Sequence, residues 1–247
     1  MTLLGFILFV FIVWYCYKKR SLLAYRKGVK EVLTGDTAVG LELLRKASRQ
    51  GLTHNQEIQV AYAELKFGDP KQAKTKLNLL LMNKKLKKAV EYQARCMLAI
   101  IHLNEREITE AREILDKLYE EGFRSTNFYA TYGYMALLTR EEEYYTRINT
   151  EAYHYNSDSP VIGDNYGLCL FMNKLYDKAL EIYQMVIDKN PNFPEAYYNY
   201  ACVLEATGDY DKAKEMLSEA LSQEFTGVTT IRREQVEGML HRLTEKH

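Results

Sequence analysis

Two asparagine side chains, Asn165 and Asn199, hold the same place in two successive stretches of 34 residues, 160–193 and 194–227. An asparagine amide both donates and accepts hydrogen bonds, so such groups at regular spacing could hold the main chain of a bound polypeptide. The competing interpretation is a local hydrogen bond to the neighbouring helix. The pair marks a candidate recognition site, and both interpretations stay open.

The residue patterns that common enzymes need are absent from the sequence. It contains no GxGxxG, no GxxxxGK[ST] phosphate loop, no GxSxG elbow and no HExxH. The five histidines lie far apart without the spacing of metal ligands, and the four cysteines form no CxxC pair. We therefore expect a protein that is not an enzyme and that carries no cofactor and no metal.

Composition favours a helical protein without a strong charge preference. The chain has 247 residues, with Lys+Arg 33 balanced by Asp+Glu 33, so nothing in the total favours a nucleic-acid partner. Only four prolines and 13 glycines accompany 47% hydrophobic residues, a balance that favours continuous helices over a loop-rich β fold. We expect an all-α chain that binds no nucleic acid.

The two stretches repeat one another residue by residue. When 194–227 is moved 34 residues back onto 160–193, Tyr200 falls on Tyr166, and the Asp-Lys-Ala triplet 211–213 falls on the identical triplet 177–179. Small residues also recur at fixed offsets within two helical stripes: Gly167, Ala179, Ala201 and Ala213. A period of this length is the signature of a repeat architecture.

This pattern resembles the tetratricopeptide repeat (TPR), a helix-turn-helix unit of 34 residues. The resemblance implies that the small residues let helix A and helix B of each unit approach closely. It places Gly208 in the turn of the second unit, where the backbone is left-handed and glycine fits without strain. In the first unit Asn173 and Lys174 must form the same turn, which is less favourable for residues with a side chain.

The repeat frame extends backward over most of the chain. Units are predicted to start near residues 21, 54, 92, 126, 160 and 194, and the unit at 126 is distorted because Tyr145 stands where a small residue belongs. Residues 228–247 have helical apolar spacing and one polar face, as an end cap requires. The predicted fold is an all-α TPR superhelical solenoid of about six repeats over 21–227 with a capping helix, preceded by one transmembrane helix.

That transmembrane helix is predicted in residues 1–17, which contain no charged side chain and precede Lys18, Lys19 and Arg20. Seventeen helical residues rise about 25 Å, the lower end of what crosses a bilayer core. A cleaved signal peptide is disfavoured because no basic stretch precedes the apolar run and no small-residue cleavage site follows it. Residues 1–20 are therefore predicted to anchor the protein, with the N-terminus outside and the repeats in the cytoplasm, at a bacterial inner membrane.

The TPR resemblance implies that helix A of each unit lines a concave groove. Here that wall is unusually apolar and aromatic, and many of its residues could equally be packed between adjacent A helices. The side chains that we select as the partner-binding groove are Asn127, Tyr134, Asp164, Asn165, Leu168, Tyr198 and Asn199. Some TPR proteins bind the C-terminal carboxylate of chaperones with a lysine at position 5 and an asparagine at position 9 of one repeat. No repeat of this sequence has that pair.

A lysine-rich stretch precedes the third unit and gives a local positive patch. It could contact acidic lipid headgroups or an acidic protein, and it could equally be a solvated helix face. The lysines in question are Lys71, Lys74, Lys84, Lys85, Lys87 and Lys88.

Together these features predict a membrane-anchored TPR scaffold or adaptor that binds protein partners through its groove. The overall plan looks like that of bacterial inner-membrane TPR proteins that scaffold envelope biogenesis, although one such regulator ends in paired CxxC motifs that this chain lacks. The alternatives are an organelle outer-membrane receptor for peptide segments and an enzyme built on helical repeats.

Overall fold

The computed structural model describes residues 3–246, apart from the side chains of residues 3–5, 16–18 and 246. Over that range the chain forms thirteen α-helices and no strand. The helices fall into two compact units, residues 1–98 and 99–247. The predicted all-α, TPR-like helical fold is confirmed for the described part of the chain.

Unit 1 contains four helices and the first part of a fifth. They are α1 (Leu3–Thr34), α2 (Thr37–Arg49), α3 (His54–Phe67), α4 (Pro70–Leu81) and α5 (Lys88–Asn104), the last of which continues into unit 2. Unit 2 contains the remaining helices. They are α6 (Ile108–Glu120), α7 (Thr126–Thr139), α8 (Glu142–Tyr155), α9 (Pro160–Met172), α10 (Tyr176–Ile187), α11 (Pro194–Thr207), α12 (Tyr210–Ser222) and α13 (Arg233–Lys246).

The sequence period is visible in where helices begin. Helices α7, α9 and α11 start at Thr126, Pro160 and Pro194, which are 34 residues apart. The two prolines occupy the first helical turn, where the missing N–H costs no hydrogen bond and the fixed φ suits the helix. The division of residues 21–227 into six repeats stays a prediction.

The turns between paired helices repeat with the same period. Residues 106, 140, 174 and 208 all have left-handed backbone, with φ of 66°, 61°, 61° and 89°. Only the last is glycine, for which this conformation carries no steric cost. The prediction that Lys174 must adopt the less comfortable turn is confirmed, and Arg106 and Arg140 share its position in the two preceding pairs.

In unit 2 the helices approach closely at Gly167, as the repeat pattern predicts. A methyl group added there would lie 2.8 Å and 2.9 Å from two ring carbons of Tyr183, whose side chain is fully buried in α10. The Tyr183 ring in turn stacks on Tyr200 at 5.6 Å between centroids. Gly167 therefore leaves the space that the core aromatic ring fills.

Replacing Gly167 with alanine should destabilise unit 2 by about 1–3 kcal/mol relative to the matched change Gly238→Ala. Both changes gain the same helix propensity, about 1 kcal/mol, but an added methyl at Gly238 meets nothing within 4 Å. The difference between the two free energies of unfolding, measured by urea denaturation, isolates the clash with Tyr183. Equal values would mean that the ring moves aside freely.

The predicted distortion at Tyr145 is accommodated by side-chain hydrogen bonds. Tyr145 is buried in α8 and its hydroxyl donates to Asn173 Oδ1 at 2.7 Å. One turn later Asn149 donates to the carbonyl oxygen of Gly133 at 3.2 Å, so α8 lies close to α7 at a glycine. Tyr145 fits at this position because hydrogen bonds replace the apolar contacts that a small residue would allow between the helices.

In unit 1 two glycines permit a close crossing of α1 and α2. A methyl group on Gly40 would lie 2.6 Å from the backbone nitrogen of Val32, and one on Gly28 would lie 3.0 Å from the carbonyl oxygen of Gly40. Below this crossing Leu41 and Leu44 pack with Val60 and Ala63 of α3. Helices α1 and α2 are therefore a tightly packed pair, and the repeat predicted to start near residue 21 stays a prediction.

The predicted membrane anchor at residues 1–17 is wrong. Within residues 3–246, no helix has an apolar stretch of the length that a bilayer requires. The apolar start of α1, residues 3–17, rises only about 22 Å at about 1.5 Å per residue, against a hydrocarbon core of about 30 Å. The predicted topology and inner-membrane location fall with it. Met1 and Thr2 lie outside the described residues.

The C-terminal helix is shorter than the sequence predicts. Helix α13 begins at Arg233, five residues later than the start predicted at 228, and Arg232 N–H donates to Gln235 Oε1 at 2.9 Å as part of its N-terminal cap. Val236, Met239 and Leu243 of α13 are buried against the core of α11 and α12. Residues 223–232 form a non-helical connection, which we call the α12–α13 loop.

Candidate functional site

A buried polar cluster lies where α9, α10 and α11 meet. Asp164 Oδ1 accepts hydrogen bonds from Asn199 Nδ2 at 2.9 Å and from the Tyr183 hydroxyl at 3.2 Å. The same hydroxyl lies 3.1 Å from the Asp164 carbonyl oxygen. Asp164 is only 5% exposed, so these bonds supply what water would otherwise provide.

Two carboxyl groups of this region have raised pKa values. Burial raises the pKa of Asp164 from 3.8 to about 7, reinforced by the nearby Glu195 and partly offset by the hydrogen bonds from Asn199 and Tyr183. Burial also raises the pKa of Glu195, against the hydrogen bonds that Thr230 donates to it. Removal from water dominates in both cases because a charged carboxylate loses hydration there.

Asn165 and Asn199, the periodic pair, make equivalent bonds between neighbouring helices. Asn165 Nδ2 donates to the carbonyl oxygen of Ala130 on α7 at 2.8 Å, and Asn199 Nδ2 donates to Asp164 on α9. Asn165 therefore links α9 to α7, and Asn199 links α11 to α9. A role in binding a partner stays a prediction for both.

The other predicted groove residues lie on α7, α9 and α11. Asn127 is exposed near the start of α7, and Tyr134, Leu168 and Tyr198 are half-buried on α7, α9 and α11. Burial raises the pKa of Tyr198 to about 12. Partner binding by these four residues likewise stays a prediction.

Three further residues of this region were not found from the sequence. Thr230 donates to Glu195 Oε1 through its N–H at 2.5 Å and through its hydroxyl at 3.0 Å. Asn104 Nδ2, at the end of α5, donates to the carbonyl oxygen of Gly227 at 2.7 Å. Thr230 and Gly227 stand in the stretch predicted as the repeat end and cap, so nothing in the periodicity marked them.

The Cys169 and Cys202 thiols and the clustered histidine and glutamates show no sign of an activated chemical group. Burial raises the pKa of the Cys169 and Cys202 thiols to about 11, which keeps both protonated and poorly nucleophilic. Metal-ligand proximity occurs in the described part of the chain at His102, Glu105 and Glu107, whose ligand atoms lie within 4.8 Å of one another. His102 already contacts Glu107 at 2.5 Å on an accessible surface, where such groups commonly occur without a metal.

The lysine-rich patch belongs to α4, α5 and their connection. Lys71, Lys84, Lys85, Lys87 and Lys88 are exposed and Lys74 is half-buried. The neighbouring Lys76 pairs with Glu57 at 2.8 Å and bonds to Ser48. Contact of the patch with an acidic protein stays a prediction.

Comparison with known proteins supports the repeat assignment and the fold. A sequence model of the tetratricopeptide repeat matches residues 170–226. No curated protein sequence matches the chain. One chain of the APC/C hetero-tetramer Cut9-Hcn1 is similar in structure, with 14% identity and a TM-score of 0.70 over 94% of this chain and 45% of that one.

Two bacterial structures are also similar. The pilF protein of Pseudomonas aeruginosa has 14% identity and a TM-score of 0.58, covering 82% of this chain and 91% of that one. A tetratricopeptide repeat protein of Parabacteroides merdae has 12% identity and a TM-score of 0.55, covering 92% and 100%. Likeness at such identities concerns the fold alone. The chain thus contains a tetratricopeptide repeat at residues 170–226 within an all-helical, TPR-like fold.

Proposed function

We propose that this protein is a protein-binding scaffold whose unit 2 holds a non-helical polypeptide segment across one face of α5, α7, α9 and α11. We call this the recognition face, and it carries Asn104, Asn127, Tyr134, Leu168, Glu195 and Tyr198. TPR-like folds are scaffolds for protein–protein interaction, which sets the general class. No catalytic step is part of the proposal.

The proposal rests on one observation: two side chains of this face form hydrogen bonds with main-chain groups. Glu195 accepts a main-chain N–H from Thr230, and Asn104 donates to a main-chain carbonyl oxygen at Gly227. Every polypeptide has main-chain donors and acceptors, and pockets that accept the peptide's side chains add specificity. A face that already binds one non-helical segment has the chemistry to bind another.

The half-buried residues of the face supply the apolar part of such contacts. Leu168 lies on α9 and Tyr198 on α11, and partly buried aromatic and aliphatic side chains are typical anchors of binding surfaces. Asp164 and Asn165 are buried on α9, and their hydrogen bonds connect α9 to α11 and α7. We assign those two to positioning the face.

A library of random twelve-residue peptides displayed against the full-length chain tests the proposal. We expect enriched peptides whose dissociation constant rises about tenfold in Leu168→Ala and in Asn127→Ala, as the loss of about 1.4 kcal/mol implies. Met185→Ala is the matched control, since Met185 is an exposed apolar residue on α10, away from the face. Peptides that respond to Met185→Ala and ignore both face variants would contradict the proposal.

A further inference from the structure

The α12–α13 loop is longer than the other connections of unit 2 and follows a different path. Its ten residues, 223–232, join helices whose predecessors are linked by two to six residues. The loop returns to α5, where Asn104 holds the carbonyl oxygen of Gly227, a residue 123 positions later in the chain. A ten-residue loop is not needed to join two adjacent helices, so its path calls for another reason.

Both arms of the loop are attached to unit 2. Phe225 and Ile231 pack against the hydrophobic core at the two ends. Between them, Thr230 donates twice to Glu195, and its side chain interacts with the Tyr134 hydroxyl, partly offsetting the burial that raises the pKa of that phenol. The loop therefore contacts α5, α7 and α11 at once, which are three of the four helices of the recognition face.

The loop covers a carboxylate that needs donors. Glu195 is only 8% exposed, and the N–H and hydroxyl of Thr230 are the donors that reach its Oε1 atom. A buried carboxylate without hydrogen-bond donors is costly. Whatever replaced the loop would have to bring equivalent donors, which a serine or threonine residue with a free N–H does.

The tip of the loop is closed on itself by two hydrogen bonds. Thr226 N–H donates to Thr229 Oγ1 at 2.9 Å, and Thr229 N–H donates to the Thr226 carbonyl oxygen at 3.0 Å. Gly227 and Asn104, which make the contact at the tip, are both exposed. The loop is held by individual hydrogen bonds and by two apolar side chains that pack against the core, so it can leave while the helices stay folded.

We propose that the α12–α13 loop is an internal ligand of the recognition face, and that a partner segment carrying Ser or Thr followed by an apolar residue displaces it. The inference rests on the proposed function and adds the occupant, the sequence type that competes with it and the self-inhibition that results. A tethered segment has a high effective concentration at its own site, so individually weak contacts suffice to keep the face covered. The apparent affinity for a partner falls by the fraction of time that the face is open.

The test uses a synthetic peptide with the sequence of residues 223–232, QEFTGVTTIR, and two full-length chains. One chain is unaltered, and in the other those ten residues are replaced by a Gly-Ser linker of equal length. We expect the peptide to bind the linker chain at least tenfold more tightly, as a face that is covered nine-tenths of the time requires. The Glu195→Ala change in the linker chain should abolish most of this binding, as should Thr230→Pro in the peptide, which removes the N–H.

A second measurement needs no altered loop. In the unaltered chain the Thr230 amide should be protected from hydrogen exchange, and a saturating concentration of the peptide should remove that protection. Equal affinity of the two chains for the peptide, or binding that persists in Glu195→Ala, would overturn the internal ligand. If display peptides still bind in a Leu168-dependent manner, the proposed function survives that result. If neither chain binds any peptide at the face, both proposals fail.

Discussion

Replacing Asp164 with asparagine should remove most of the loss of stability that unit 2 undergoes between about pH 4 and pH 7. The folded pKa of Asp164 is about 7 and its ordinary value is 3.8, so within this window the folded state holds a proton that the unfolded state has released. Stability falls as pH rises wherever the folded state binds more protons. Below the window both states are protonated and the penalty is absent; above it the penalty is complete.

The size of the effect follows from the width of the window. About three pH units at about 1.4 kcal/mol each give up to about 4 kcal/mol of stability gained by Asp164→Asn at pH 8, and almost none at pH 4. The asparagine carbonyl oxygen still accepts from Asn199 and Tyr183, so the hydrogen bonds that order the cluster are kept. Urea unfolding at pH 4, 5.5, 7 and 8, followed by the NMR amide signals of α9 and α11, measures the change within unit 2.

Two further chains define what the result means. Asp211→Asn is the matched control, because Asp211 is exposed and its pKa is lowered by Lys214, so the slope through this window should stay as in the unaltered chain. Glu195→Gln should remove part of the slope, since burial raises the pKa of that carboxyl too. If Asp164→Asn keeps the full slope, the carboxyl is hydrated in solution and the polar cluster is open.

The residues of this cluster show how far sequence alone could reach. The 34-residue period places Asp164 and Asn199 on one side of the first helices of two successive repeats, and their types indicate hydrogen bonding. Their mutual bond, and the third contact from Tyr183, depend on side-chain directions across two helix packings. Those directions are set by tertiary contact, which no single stretch of sequence contains.

The α12–α13 loop could not be predicted for a different reason. Val228 and Ile231 fit the apolar spacing of the following helix, so the pattern extends the helix backward to 228. In the structure Ile231 packs on the core from a non-helical backbone, and the Thr226–Thr229 turn closes the tip. Apolar spacing reports that a residue is buried, and here burial is achieved without a helix.

The N-terminal prediction failed on length. Absence of charge in residues 1–17 is a correct description of composition, but the helix that contains them continues to Thr34 through charged residues. Basic flanks such as Lys18, Lys19 and Arg20 can extend the reach of a short apolar run. Length is decisive here because a helix rises by a fixed amount per residue.

The second large effect is expected in unit 1, where Arg45 and Glu64 form an ion pair in which the carboxylate is buried and the guanidinium is partly exposed. Arg45 Nε and Nη2 donate to the two carboxylate oxygens at 2.7 Å and 2.9 Å. The Glu64 side chain is 1% exposed and that of Arg45 is 28% exposed. The two partners therefore depend on the pair to different degrees.

Arg45→Ala should cost unit 1 about 3–5 kcal/mol, since it leaves a buried carboxylate without its charged partner. Glu64→Leu should cost less, because Arg45 can turn into water, and the double variant Arg45→Met with Glu64→Leu should recover most of the loss. Hydrogen exchange of the α3 amides measures the change in unit 1 without interference from unit 2. Glu42→Ala removes the exposed carboxylate that lies 3.8 Å from Arg45 in the same unit and serves as the control, with an expected cost of about 1 kcal/mol or less.

The relative order of these costs distinguishes two origins of the effect, attraction between the charges and burial of Glu64. If the pair acted mainly by attraction, removing either partner would cost the same, because the same attraction would be lost. If burial of Glu64 dominates, Arg45→Ala must be the more damaging change and the apolar double variant must be the better tolerated one. Equal single costs with no recovery in the double variant would show that α2 and α3 are joined by the charges themselves.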